Sequence, residues 1–341
     1  MVGGKTFRSL LKLRVKIATG RCSLKERKGQ AMADNGQRPY NKALMYSIKI
    51  NWAIGERVVR ALLLNRRAPE VKSVLRGIPY VTGGHRLQAL DIIRPKGEPP
   101  FPVLVYIHGG ANHIGDKGTY DRICKCFAAE GFLVFNANYR MAPRWGFPEQ
   151  VQDTAAAVNW AYRNAATFEG DNGRVFIAGD SSGAYFSAMY ACMALDEQTM
   201  RAVPVDECIP AEVIRGLLLF YGLYDLETVA RTKFPLSEML ATGYLGRDEE
   251  LFKQRAEIAS PIRHLSPGYP PCFIATSELD PLHSETLAFM RALEEKGITY
   301  EYLNFPRDKY PLTYHGFLNF WFTKSAREAM RGAKDFLRKY R

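Results

Sequence analysis

From about residue 74 onward the sequence alternates strand-like and helix-like segments, and that alternation constrains the fold more than any other feature. Residues 75–81 and 87–93 read as two short strands around the Gly83-Gly84 turn, a β-hairpin. Residues 102–107 are an unbroken apolar run, the pattern of a strand buried on both faces. Further strands are expected at 132–136, 175–178, 215–220, 272–276 and 300–304. Helices are expected at 120–130, 150–164, 184–195, 284–296 and 325–340. Such alternation predicts an α/β fold: a mostly parallel eight-stranded sheet with helices on both faces and right-handed crossovers. Ligands in these sheets sit beyond the carboxyl ends of the strands, so chemistry is sought in the loops after Ile107, Ala178, Thr276 and Phe305.

Outside this core, residues 41–65 read as a helix with a broad apolar face, and 222–271 hold helix-like pieces near 236–244 and 248–257. Residues 11–17 (LKLRVKI) alternate apolar and basic residues, a pattern that does not decide between strand and surface segment. The net charge is +12, but residues 1–30 hold nine Lys or Arg against one acid, Glu26. The basic character therefore belongs mostly to this tail. We read residues 1–37 as a basic, solvated and flexible extension and the domain as 38–341; a later start at Met32, which would remove residues 1–31, is the other reading. The tail's charge suits weak contact with an anionic membrane surface; it lacks the aromatic interleaving of a nucleic-acid binder, and no nucleic-acid partner is expected. No stretch is long and apolar enough to span a bilayer. The six cysteines lack zinc spacing and are read as reduced thiols, which suits a cytoplasmic protein. Oligomeric state is not readable.

The loop after 175–178 reads Gly179-Asp180-Ser181-Ser182-Gly183. A nucleophile on a sharp strand-to-helix turn projects its hydroxyl above the sheet, and glycines on both sides permit the crowded backbone. Ser181 holds the central position; Ser182 is the rival by residue type. His108-Gly109-Gly110-Ala111 follows 102–107, and its small residues leave the N–H groups of Gly109, Gly110 and Ala111 free to face an oxyanion, with Ser182 N–H completing the cradle. His108 itself reads as a loop-orienting histidine. In the loop after 272–276 both Glu278 and Asp280 suit an acid that orients an imidazole, and Asp225 is a more distant candidate. His315, on the last loop, is the histidine placed to reach Ser181. His113, beside the oxyanion loop, is expected to touch substrate. The order Ser181, Asp280, His315 is the Ser…Asp…His order of α/β-hydrolases.

Together with Asn138-Tyr139-Arg140-Met141-Ala142-Pro143, Phe147-Pro148, Asp280-Pro281-Leu282 and His315-Gly316-Phe317, these motifs make the chain resemble the α/β-hydrolase superfamily, and within it the hormone-sensitive-lipase-like esterases. The resemblance covers roughly residues 75–340. It implies Ser181 as nucleophile, His315 as base, Asp280 as its orienting acid, and oxyanion donors at Gly110, Ala111 and Ser182. It also implies a helical cap, for which 38–70 and 225–265 are the candidate segments, with Ile48, Trp52, Leu236, Met239, Leu240 and Tyr244 as candidate pocket residues. Tyr139 and Phe317, in the shared motifs, are expected beside substrate. Three departures stand out: Ala111 where the family often has a third glycine, Ser182 where it often has alanine, and the polar pair Asn112-His113 where an aromatic often follows.

The expected activity is cofactor-free and metal-free hydrolysis of a small carboxylic ester of short to medium acyl chain, through an acyl-enzyme. Amide chemistry, as in an amidase, formamidase or deacetylase, is the alternative with the same residues. A non-catalytic small-molecule receptor is disfavoured by retention of all three side chains. A membrane-surface lipase using the basic tail and the 41–65 helix is a further alternative.

Overall fold

The computed structural model describes residues 37–341. The expectations on residues 11–17 and on the basic tail fall on 1–36, outside the described residues. Eight strands form one sheet in the order β1-β2-β4-β3-β5-β6-β7-β8. They are β1 (Ser73–Pro79), β2 (Ala89–Arg94), β3 (Phe101–Ile107), β4 (Leu133–Ala137), β5 (Gly170–Asp180), β6 (Ile214–Phe220), β7 (Cys272–Ser277) and β8 (Tyr300–Phe305). β1 pairs antiparallel with β2 and β2 with β4; every other pairing is parallel.

The sheet is buried on both faces, most plainly at β3, which is apolar and buried at every position. Val103, Val105 and Ile107 of β3 face one core, and Leu104 and Tyr106 face the other. The first core is covered by α3 (Glu149–Asn164), α4 (Ser182–Leu195) and α8 (His283–Glu295). The second is covered by α2 (Asp121–Ala128) and α9 (Lys324–Tyr340). α9 shows how pattern becomes packing: Ala326, Ala329, Ala333, Phe336 and Leu337 are buried at three- and four-residue spacing. α4 is the opposite case. All of residues 182–193 are buried, so no amphipathic stripe marks it, and it starts at Ser182 rather than at Ala184. The short α5 (Glu197–Ala202) has no expected counterpart; Asp196 caps it by accepting from the N–H groups of Gln198 and Thr199. β5 begins five residues earlier than its apolar run, because Gly170 and Asp171 pair with Phe101 and Pro102 across a register shift.

Two helical segments stand apart from the sheet. α6 (Ser237–Leu245) and α7 (Glu249–Ala259) lie between β6 and β7 in sequence. α1 (Lys42–Val59), continued by a π-helical turn at Arg60–Leu64, precedes β1. Only Met45 and Leu64 of these α1-region residues are buried. Polar ties hold the segment down: Lys49 Nζ donates to Ala142 O (2.7 Å), Arg60 pairs with Asp116 (3.0 Å), Asn65 Nδ2 donates to Gly118 O (2.7 Å) and Thr119 Oγ1 donates to Glu56. A cavity of about 630 Å³ remains between α1 and the body, lined in part by Trp52, Arg57, His85, Arg86 and Trp145. No helix among the described residues is long and apolar enough to cross a membrane.

Candidate active site

Ser181 sits on the turn from β5 into α4 with φ +53° and ψ −120°, a conformation that L-residues adopt only under constraint from their surroundings. The constraint is visible. Ser181 N–H donates to Phe220 O (2.8 Å), and a Cβ built at Gly183 would lie 2.0 Å from Ile107 O. The helix start can approach β3 this closely only with glycine at that position. The turn aims the hydroxyl at His315, whose Nε2 lies 2.9 Å from Ser181 Oγ. On the other side of the ring, His315 Nδ1 lies 2.8 Å and 3.1 Å from the two carboxylate oxygens of Asp280.

Asp280 is buried, and its carboxylate also accepts from Leu282 N–H (2.8 Å). Glu278 is exposed and accepts from Arg307 N–H instead, while Asp225 pairs with Arg263. Of the three acids weighed from the sequence, Asp280 is the one brought to the imidazole. Tyr221 and Phe234 set their rings edge-on to His315, with centroids 5.0 Å and 5.1 Å away. Burial on its own would lower the His315 pKa. The Asp280 carboxylate, through its charge and its hydrogen bond, outweighs that and holds the imidazole above the ordinary 6.5.

The oxyanion loop departs from the expectation in one respect. Gly109 N–H is not free: it donates to Asp180 Oδ1 (2.9 Å), so Gly109 is removed from the candidate donors. The loop's other turn bonds run from His113 N–H and Ile114 N–H to Gly110 O, leaving the N–H groups of Gly110 and Ala111 outside these bonds. Ser182 is the first residue of α4, where a helix has an N–H without an intrahelical acceptor. Ala111 holds φ +51° and Asn112 φ +64°, a region that favours glycine. The alanine where relatives often carry glycine therefore stands in a strained backbone. Straps hold it: Asn112 O accepts from Ala142 N–H (3.0 Å) and Gln150 Nε2 (2.8 Å), and His113 Nδ1 lies 2.7 Å from Ala111 O.

Asp180, the residue before Ser181, was not singled out from the sequence. It is buried, and besides Gly109 N–H it accepts from Tyr106 OH (3.2 Å) and Tyr120 OH (3.1 Å). Burial pushes its carboxyl up to about 6, against these three donors and the nearby His315, which all lower it. This side chain ties the strand end that carries Ser181 to the loop that carries Gly110 and Ala111. The only sequence signal was an acid inside an otherwise small-residue turn.

The pocket beside Ser181 is small, about 40 Å³, and mostly apolar. Ala111, Leu223, Val229, Phe234, Leu240 and Tyr244 are among its walls. Leu240 and Tyr244 thus stand where the sequence reading put them. Trp52 lines the separate cavity under α1, Leu236 is exposed, and no described residue of 38–70 lines the Ser181 pocket. His113 is fully buried and also lines the α1 cavity; burial lowers its pKa to about 4. A Cβ at Gly243 of α6 would lie 2.6 Å from His113 Nε2, so the ring packs against that helix. Tyr139 is buried, donates to His108 O (3.0 Å) and stacks on the His108 ring at 4.5 Å. Phe317 is buried against Tyr221 and Phe305. None of these three forms a wall of the Ser181 pocket: Tyr139 and His113 brace the oxyanion loop, and Phe317 backs the ring that faces His315. Among the described residues no three His, Cys, Asp or Glu side chains converge as a metal site.

Comparison with known proteins gives the same outline. The family model described as alpha/beta hydrolase fold matches residues 104–319. Esterase LipC of Mycobacterium tuberculosis is 30% identical over 228 aligned positions; the match covers 63% of this chain and 55% of that esterase, so it spans about half of the relative's length. Among solved structures, esterase B of Lactobacillus rhamnosis superposes with a TM-score of 0.77 at 19% identity, over 87% of this chain and 96% of its own. A bacterial heroin esterase superposes with a TM-score of 0.68 at 26% identity, over 89% and 95%.

Proposed function

The chain belongs to the alpha/beta hydrolase fold family, and from that premise we propose that it hydrolyses carboxylic esters of short acyl chain with Ser181 as nucleophile. The single observation that carries this reading is the continuous line from Ser181 Oγ through the His315 ring to Asp280, with contacts of 2.9 Å and 2.8 Å. The similarity to proteins named as esterases supports the choice of bond.

In the proposed reaction His315 Nε2 takes the Ser181 proton as Oγ attacks the ester carbonyl carbon. Asp280 keeps the proton-bearing Nδ1 turned toward itself and stabilises the imidazolium. The carbonyl π pair moves onto oxygen, and the oxyanion is held by the N–H groups of Gly110, Ala111 and Ser182, each contributing about 3 kcal/mol in the transition state. The tetrahedral intermediate collapses, the C–O bond breaks, and the alcohol leaves with the proton from His315. A water then repeats the sequence on the acyl-enzyme, releasing the acid and restoring Ser181. No step calls for a cofactor.

The pocket supports the finer statement on chain length. A volume of about 40 Å³ beside Ser181, walled by apolar side chains, favours a short acyl group. We assign the lid role to the 225–265 segment, because Val229, Phe234, Leu240 and Tyr244 wall that pocket.

Labelling with a fluorophosphonate tests the nucleophile. The probe should add one adduct on the peptide carrying Ser181, and Ser181→Ala should abolish it. An adduct that persists in the variant would move the nucleophile elsewhere.

A further inference from the structure

We propose that the outer face of α1 and its π-helical continuation is a docking element for an anionic lipid surface. The proposal does not depend on the hydrolytic reading. Twelve large apolar side chains are exposed among the described residues, and seven of them lie in one 19-residue stretch: Leu44, Tyr46, Ile50, Trp52, Ile54, Val58 and Leu62. Ile50, Ile54, Val58 and Leu62 recur every four residues and form one continuous stripe, with exposures of 53–66%. A soluble surface tolerates single exposed aliphatics; a concentrated stripe of them marks a contact.

The charges around the stripe select the partner. Residues 42–67 contain Lys42, Lys49, Arg57, Arg60, Arg66 and Arg67 and a single acid, Glu56, which is turned inward to accept from Thr119. Lys42, Arg57 and Arg66 are exposed, and Arg57 and the exposed Arg86 line the cavity beneath the helix. The sequence before the described residues adds nine basic residues and one acid within its first thirty positions, and it ends a few residues before α1.

A two-fold contact with a second copy would set this cationic rim against itself. The chain's own basic tail would meet the same repulsion. A nucleic acid would satisfy the charge and leave the aliphatic stripe in water. An anionic bilayer satisfies both, taking Ile50, Ile54, Val58 and Leu62 at the headgroup–acyl boundary and placing phosphates opposite the Lys and Arg side chains. α1 can lie in such a boundary at small cost, because its inner side spans a cavity and buries only Met45.

Co-sedimentation of the full chain with vesicles tests this. Wild type should partition onto phosphatidylcholine–phosphatidylserine vesicles and bind phosphatidylcholine vesicles more weakly. Ile54→Glu with Val58→Glu should reduce partitioning by roughly tenfold or more while keeping the wild-type thermal midpoint, since both side chains are exposed. Lys42→Glu with Arg57→Glu should weaken binding chiefly at low salt. Wild-type affinity from the glutamate pair at 54 and 58, or equal binding to both vesicle types, would overturn the proposal. Failure to bind vesicles, combined with a dimer in sedimentation equilibrium that the same pair dissociates, would overturn it in favour of a self-interface.

Discussion

The wall that carries Ser181 and the helix α1 solve opposite problems. Around Ser181 the buried carboxylates and the oxyanion-loop backbone are bonded: Asp180 accepts from three partners, Asp280 from His315 and Leu282, and the strained Ala111–Asn112 backbone is strapped from both sides. α1 instead exposes its apolar side chains and is tied to the body by a few polar contacts over a cavity. The first region fixes its polar atoms through several bonds each, which the proposed stabilisation of a transition state requires. The second has little packing to lose, which an element meant to meet another surface can tolerate. Substitutions in the wall should therefore act mainly on rate, and substitutions on α1 mainly on location.

The sharpest way to break this contrast is His315→Ala. Removing the proposed base should lower kcat by about 10⁴-fold or more in steady-state ester hydrolysis while the fold survives; turnover within tenfold of wild type would place the base elsewhere. Asp280→Asn should follow, at roughly 10³- to 10⁴-fold. Its sign with pH is fixed. The carboxylate holds the His315 pKa up, and the base works only when neutral, so wild-type activity falls as pH drops through that raised pKa. Without the carboxylate the acid limb of the pH–kcat profile moves to lower pH, whereas Glu278→Gln should move neither rate nor limb.

Asp180→Asn comes third. It keeps the size of the side chain but weakens the tie to Gly109, and kcat should fall by roughly 10- to 100-fold with KM little changed, the mark of a loop held less well for the transition state. Stability sharpens the same comparison. Leu219→Ala in the buried β6 should cost about 3 kcal/mol in denaturant unfolding, and Ile54→Ala on α1 less than about 0.5 kcal/mol. Smallest is Leu240→Ala, which should widen the pocket and raise kcat/KM for a hexanoate relative to an acetate ester by about 3- to 10-fold.

The sheet was legible because its information is local. An apolar run such as 102–107 has few other uses, and the turn around Ser181 names itself through glycines whose absent side chains the packing demands. The order of Ser181, Asp280 and His315 was legible for the same reason: each sits on a loop at a strand's carboxyl end. What stayed hidden depends on contacts across the fold. Nothing near Gly109 in sequence says that its N–H is taken by Asp180, seventy-one residues away. Nothing near His113 says that Gly243 closes over it, and a histidine beside the oxyanion loop reads as a substrate contact until that burial is seen. α4 gave no stripe to read because it is covered on all sides, and its first turn is occupied by the residues of the nucleophile turn. The apolar face of 41–65 was plain in the sequence; that it points outward was not, since periodicity identifies a face without saying what covers it.

The central claim is that Ser181 drives hydrolysis of small esters, and the most direct test is a p-nitrophenyl ester series from acetate to palmitate, run with wild type beside Ser181→Ala. Activity should peak at the shortest chains, fall as the acyl group outgrows the pocket, and be absent in the variant. Equal turnover by the variant, or no turnover of any ester by a folded wild type, would contradict it.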